Sequence, residues 1–238
     1  MMLQYCIIMR AREFFRDGIP LMELPIPDRV SAGQTLAKAM ENYRDRQDLL
    51  VLALPRGGVP VAYELAEALH APMDLMLVRK LGTPGQRELA MGAIASGGIR
   101  VLNDDLVSYL HISEQTLEQV VAMEQKELER REQAYRGDRP RPEIEGKCVI
   151  LVDDGIATGA TMRVAIKALR GQQPKELVVA VPVAPADTIE TLRNEADDVV
   201  CLATPEPFTA IGLWYVDFGQ VSDEEVTKQL AKAWAKES

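Results

Sequence analysis

The sequence predicts an α/β fold, a mostly parallel sheet flanked by helices, and three observations carry the prediction. Short apolar segments rich in β-branched residues alternate with segments of helical period, the order expected of parallel strands joined by covering helices. The apolar segments lack a polar face, as strands buried on both sides do. They also stop abruptly at Gly, Pro, Asp or Arg, at the carboxyl ends where an open parallel sheet binds its ligands. The reading assigns residues 28–204 to the core, with a helical insertion at 104–145. Residues 1–27 are an N-terminal extension or part of a small hood, and 205–238 are a C-terminal hood segment and helix.

In chain order, "PDRVSAGQTLAKAMENYR" (27–44) is an amphipathic helix with Val30, Leu36, Ala37 and Met40 inward. "DLLVLALP" (48–55) is a buried strand that stops at Pro55-Arg56-Gly57-Gly58, before a helix over 59–70 and a strand "MDLMLVRK" over 73–80. "LGTPGQRELAMG" (81–92) is punctuated by glycine and proline and reads as a mobile loop. "AIASGGIRVLN" (93–103) reads as a short hairpin or edge element. The insertion is charge-dense, with Leu117, Val121 and Leu128 on one stripe, Ser113 near its start, and Pro140, Pro142 and Gly146 at its end. A solvated helix covering one face follows. Strand 148–152, helix 161–171 closed by Gly171, strand 176–184, helix 186–196 and strand 198–204 complete the core. The tail carries both tryptophans before a final helix.

The formal net charge is −9 over 238 residues, which argues against a general affinity for nucleic acid or anionic lipid. Phosphate binding in so acidic a chain falls to backbone amides and a few placed cations. Cys6, Cys148 and Cys201 lack metal-ligand spacing, and Cys148 and Cys201 read as buried thiols in strands. With His70 and His111 alone, a histidine metal site or a Ser-His-Asp triad is poorly supplied. The start "MMLQYCIIM" is too short to span a bilayer and has no basic leader. It reads as an extra strand, a tail, or an overlong start with Met9 as the alternative, and a cytoplasmic protein is expected.

The densest chemistry lies in "VILVDDGIATGAT" (149–161). Asp153 and Asp154 end an apolar strand, where carboxylates need a cation, a donor or a ligand. Gly155 and Gly159 allow a tight turn with inward amides, the following helix start favours an anion, and Thr158 and Thr161 add hydroxyls. No Gly-Lys-Ser/Thr closes the loop, so it is not a Walker motif. Carboxylates beside a phosphate cradle suit a ligand with both hydroxyls and phosphate, or a bridging magnesium ion.

This segment resembles the phosphoribosyl pyrophosphate (PRPP) motif of type I phosphoribosyltransferases: apolar strand, two acids, short turn, Thr-Gly-x-Thr. The resemblance implies that Asp153 and Asp154 hold the ribose hydroxyls. It gives the 5′-phosphate to Ala157, Thr158, Gly159, Ala160 and Thr161. Arg56-Gly57-Gly58 resembles the family's pyrophosphate loop. Arg79-Lys80 and the segment behind it resemble its mobile catalytic loop, bringing Lys80 or Arg87 to the pyrophosphate. Lys80, Arg56 and Asp154 are the implied catalytic residues, and Arg79 an implied donor contact. Phe208, Trp214, Tyr215 and Asp217 are the implied acceptor hood. Mg2+ is the implied cofactor, reached indirectly by Asp153 and Asp154 through PRPP or water, and by Asp217.

The resemblance runs over residues 28–220. Arg-Gly-Gly-Val-Pro-Val-Ala with Arg-Lys-Leu-Gly is most similar to a little-characterised bacterial branch of predicted phosphoribosyltransferases. The implied reaction moves the 5-phosphoribosyl group of PRPP to a nucleobase or similar nitrogen nucleophile with release of pyrophosphate. A homodimer is implied, with no nucleic acid or membrane partner. The lysine-histidine pattern of orotate enzymes is missing, which argues against orotate. The alternatives are a non-catalytic PRPP-binding regulator and a receiver-type phosphoacceptor domain. In the receiver the acids precede the acceptor strand and no Thr-Gly-x-Thr loop follows.

Overall fold

The structure, a computed structural model, describes residues 22–236, without the side chains of Arg87 and Glu88. The expectations for residues 1–21, Cys6 among them, and for the reach of Arg87 therefore lie outside the described residues.

The chain runs α1 (Arg29–Ala39), β1 (Leu49–Ala53), α2 (Gly58–Leu69), β2 (Met73–Leu75), β3 (Val78–Thr83), β4 (Gln86–Ala95), β5 (Ile99–Leu102), α3 (Asp104–Tyr109) and α4 (Glu114–Arg136). It continues through β6 (Cys148–Val152), α5 (Ala160–Arg170), β7 (Glu176–Val183), α6 (Ala186–Arg193), β8 (Asp198–Ala203) and α7 (Asp223–Trp234). Five strands form the main sheet in the order β2-β1-β6-β7-β8, every pair parallel. The predicted α/β architecture is thus the observed one.

Every residue of β1 and β6 is buried, and strand alternation divides their side chains between two cores. Leu49, Val51, Ala53, Cys148, Ile150 and Val152 join residues of α1, α2 and α7 on one face. Leu50, Leu52, Val149 and Leu151 join residues of α5 and α6 on the other. Helix α1 starts at Asp28, whose side chain accepts from the Ser31 amide. Leu36, Ala37 and Met40 face inward as expected, but Val30 is 40% exposed. It lies one residue past the start of the helix, outside the stripe that Leu36 and Met40 define.

Two further corrections concern the middle of the chain. The expected strand 73–80 is broken: β2 ends at Leu75, and Val78 begins β3 in a separate antiparallel sheet of order β3-β4-β5. The expected mobile loop 81–92 is instead the paired hairpin of β3 and β4, with Thr83 opposite Gln86. Pro84-Gly85 makes its turn, and the φ of +79° at Gly85 is the value a type II turn needs at that position. The hairpin expected over 93–103 is β4–β5, closing through Gly97 and Gly98.

Helix α4 begins at Ser113, whose hydroxyl accepts from the Thr116 amide. It buries Leu117, Val121 and Leu128 as the stripe predicts, packing on the hairpin and on α7. Its last turn is anchored by charge. Arg136 donates to Asp74 at 2.8 Å, to Glu132 at 3.1 Å and to the Leu75 carbonyl at 2.6 Å, all buried. Among the described residues no helix is long and apolar enough to cross a membrane.

Candidate active site

The chain leaves β1 for β2 on one side, and β6 for β7 and β8 on the other. The sheet therefore reverses its order between β1 and β6, where an open α/β sheet opens a crevice. Ala53 pairs with Val152 at the last register position, so the loops after both strands leave side by side. The Leu54 amide donates to the Val152 carbonyl at 2.9 Å, and the Pro55–Arg56 peptide bond is cis.

The two loops touch so closely that side chains are excluded. A Cβ on Gly57 would lie 1.9 Å from Asp154 Oδ2. One on Gly58 would lie 2.8 Å from the Val152 carbonyl oxygen and 2.9 Å from Asp153 Cα. The Arg-Gly-Gly loop is thus pressed against the paired acids themselves.

Asp154 is buried and Asp153 half-buried. Arg29, at the first position of α1, donates from Nε to Asp154 Oδ2 at 2.8 Å and from Nη1 to the Gly219 carbonyl at 2.7 Å. Its guanidinium lies 4.0 Å above the Phe218 ring, a cation–π contact. Tyr215 donates its hydroxyl to the backbone carbonyl of Asp154 at 2.6 Å. Burial first, and the charge of Asp154 second, raise the Tyr215 phenol far above its usual range, so it is a donor at neutral pH. Burial, and then the neighbouring Asp154 charge, likewise push the Asp153 carboxyl well above the carboxylate range. One carboxylate is paired with Arg29, and the other resists ionisation beside it.

Beyond the acids, Gly155 lies where a Cβ would meet Ile211 at 2.6 Å, and the Ile156 amide donates to the Val183 carbonyl at 2.9 Å. Gly159 adopts φ +72° as the N-cap of α5, and no side chain caps that helix. The first amides of α5 have no intrahelical acceptor, and with the helix dipole they favour an anion. Ala157, Thr158, Ala160 and Thr161 are exposed around them, while Gly159 is buried. The expected cradle residues are therefore together on one strand end.

The other expected residues are dispersed. The Arg56 side chain runs toward α7, with Nη1 3.7 Å from Asp223 Oδ1. Arg79 donates from Nε to Glu124 of α4 at 2.9 Å, so its guanidinium is engaged with the insertion. Lys80 is exposed on β3, paired across the hairpin with Ala93. Trp214 and Tyr215 are buried, and the Trp214 carbonyl accepts from the Ile26 amide at 2.7 Å. Both belong to the core under the implied acceptor hood, and Tyr215 also braces Asp154. Phe208 is half-buried, 6.2 Å from Trp214, and exposed Asp217 accepts from the Gly219 amide at 3.1 Å.

Arg29 was not singled out by the sequence; its one signal is a cation directly after the N-cap acid in "PDR". Among the described residues no three His, Cys, Asp or Glu side chains gather into a metal site.

The sequence matches the phosphoribosyl transferase domain family over residues 25–213. The chain belongs to the phosphoribosyltransferase family. It is 45% identical over 206 residues to the Mycobacterium tuberculosis H37Rv protein named "Putative phosphoribosyl transferase Rv0571c", covering 87% of this chain and 46% of that one. The same values hold for "Putative phosphoribosyl transferase MT0597" of strain CDC 1551 / Oshkosh. The chain thus spans about half the length of the curated relatives it matches. The crystal structure of TT1426 from Thermus thermophilus is similar at 42% identity and a TM-score of 0.76, over 89% of this chain and 99% of that one. The parallel sheet with its motif at the β6 end is the type I phosphoribosyltransferase fold. The family match ends at residue 213, so Tyr215, Phe218 and Gly219, which brace Asp154 and Arg29, lie just past it.

Proposed function

We propose that the protein transfers the 5-phosphoribosyl group of PRPP to a nitrogen nucleophile, a nucleobase or a similar amine, releasing pyrophosphate. One observation carries the reading. The paired acids and the uncapped start of α5 share one strand end, and a glycine loop from the neighbouring strand closes against them.

Burial and the neighbouring Asp154 make ionisation of Asp153 unfavourable in the empty site. Ribose hydroxyls are the complementary partner, because each donates a hydrogen bond that favours the charged carboxylates. The amides of the Ala157–Thr161 loop with the Thr158 and Thr161 hydroxyls take the 5′-phosphate, remote from the bond that breaks. Binding there positions C1′ for reaction. The nucleophile's nitrogen forms a bond to C1′ as the bond from C1′ to the diphosphate oxygen breaks, and the electron pair leaves with pyrophosphate. Cationic character develops on the ribosyl ring and anionic charge on the leaving group. The Gly57-Gly58 backbone, Arg56, and Lys80 from the hairpin serve the anionic side. Magnesium bound to the diphosphate would supply Lewis-acid neutralisation there, reached by Asp153 and Asp154 through PRPP hydroxyls or water.

The deciding experiment incubates PRPP and Mg2+ with a panel of purines, pyrimidines and simple amines and measures pyrophosphate release. The Asp153→Asn/Asp154→Asn double variant is expected to melt cooperatively but to lose PRPP binding in titration calorimetry. Unchanged affinity would refute the assignment. Lys80→Ala is expected to slow turnover more than it weakens PRPP binding, and equal losses would remove Lys80 from the transition state.

A further inference from the structure

Arg56 is the cation placed for the leaving diphosphate, yet its side chain is engaged elsewhere. Its Nη1 stands 3.7 Å from Oδ1 of Asp223, the first residue of α7. That same oxygen accepts the hydroxyl of Tyr135 at 2.5 Å. Tyr135 belongs to the last turn of α4, so the helical insertion reaches the pyrophosphate loop through one carboxylate.

We propose that Asp223 is a competing counter-ion for Arg56, and that Tyr135 weakens the competition by occupying the carboxylate oxygen. The proposal rests on the PRPP reading and gives the insertion a part in donor affinity. Burial and the bond to Asp223 hold the Tyr135 phenol up at about 12, so it donates at neutral pH. The Tyr135 ring is buried and cannot retreat, whereas the Asp223 and Arg56 side chains are 71% and 39% exposed. At 3.7 Å the guanidinium is beyond hydrogen-bond length from the carboxylate. A half-exposed ion pair with no hydrogen bond is weak, so a diphosphate that accepts two parallel N–H bonds takes Arg56 from it. Two further cations of α4 act on this pair, Arg130 on Asp223 and Arg131 on Tyr135, and both are bonded to Glu127.

The consequence is a pair of variants with opposite effects. Asp223→Asn removes the competing charge and is expected to tighten binding of both Mg2+-pyrophosphate and Mg2+-PRPP by roughly 2- to 5-fold. The Ser222–Glu225 capping box still starts α7 in this variant, and Asp223→Ser repeats the test with a second side chain. Tyr135→Phe frees the oxygen to take Arg56 in a direct charge-assisted bond, and is expected to weaken both ligands by roughly the same factor. Tyr135→Phe/Asp223→Asn should behave as Asp223→Asn does. An Arg56→Gln background should erase every difference. Titration calorimetry with the two magnesium complexes reads all of these. Weakening by both single variants, no change in either, or shifts that persist without Arg56 would overturn the counter-ion role while leaving the donor site intact. A wild-type protein that binds neither complex would overturn the donor-site reading and this proposal with it.

Discussion

Gly57→Ala places a methyl carbon 1.9 Å from Asp154 Oδ2 and 2.5 Å from its Cγ. The backbone at Gly57 is right-handed helical, with φ −62° and ψ −33°, so alanine meets no conformational barrier and the effect is the collision alone. The carboxylate must move by more than roughly 1 Å to reach van der Waals distance. The atom that moves is the one accepting Arg29 Nε at 2.8 Å, between side chains only 12% and 10% exposed. Loss of a charge-assisted hydrogen bond in such surroundings costs roughly 1.5–3 kcal/mol. For a chain of this size that lowers Tm by about 3–12 °C. Because the displaced carboxylate is the one expected to hold a ribose hydroxyl, PRPP affinity should fall by roughly 10- to 150-fold. The assay is a double-mutant cycle of Gly57→Ala and Asp154→Ala, read by thermal melting and by calorimetry with PRPP. Once Asp154 has no carboxylate, alanine at 57 should cost less than about 0.5 kcal/mol further. An equal loss in both backgrounds would show that the collision is not with Asp154, and the reasoning would fail.

Two further predictions concern buried charge. The Asp153 carboxyl is raised above its unfolded value, so the stability it contributes is full below the unfolded pKa and is lost as pH rises through the folded one. Asp153→Asn should therefore melt higher than the parent at pH 8, with the gap closing toward about pH 4; equal melting at pH 8 would refute it. Arg136→Met removes the guanidinium that Asp74, Glu132 and the Leu75 carbonyl share in the interior. It should cost roughly 3–5 kcal/mol, and adding Asp74→Asn and Glu132→Gln should restore much of that; a triple variant no better than the single would count against stranded charge as the cause.

The parallel core was legible because burial on both faces leaves a compositional mark, as in "LLVLA" and "CVILV". The gathering of acids, glycines and threonines at one strand end was legible because they are contiguous. The hairpin was not. Proline and glycine in "LGTPGQRELAMG" signal a turn equally well inside a mobile loop and at the tip of two paired strands. Only the partner strand decides between them, and pairing is not written in one strand's composition. The break after Leu75 was hidden for a related reason: Met76 and Leu77 are as buried as the strand before them, so leaving one sheet for another changes no hydropathy. Arg29 stayed hidden because its partners Asp154, Phe218 and Gly219 are remote in sequence. In the tail, where the resemblance implies an acceptor hood, the aromatics Trp214 and Tyr215 are buried in packing against the core, which their composition does not announce.

The direct pairing of β1 with β6, Leu49 beside Cys148 through Ala53 beside Val152, makes the candidate site a seam between two stretches distant along the chain. Everything from the second sheet to the end of α4 hangs from that seam as a loop, and loop-closure entropy rises only slowly with loop length. Length by itself therefore adds little to the cost of carrying this excursion. What ties it to the seam is its last turn, where buried Arg136 bonds Asp74 and the Leu75 carbonyl of β2, the strand beside β1. Changes at the Pro84-Gly85 tip or on the exposed face of α4 leave the β1–β6 register untouched, whereas changes at that last turn reach it.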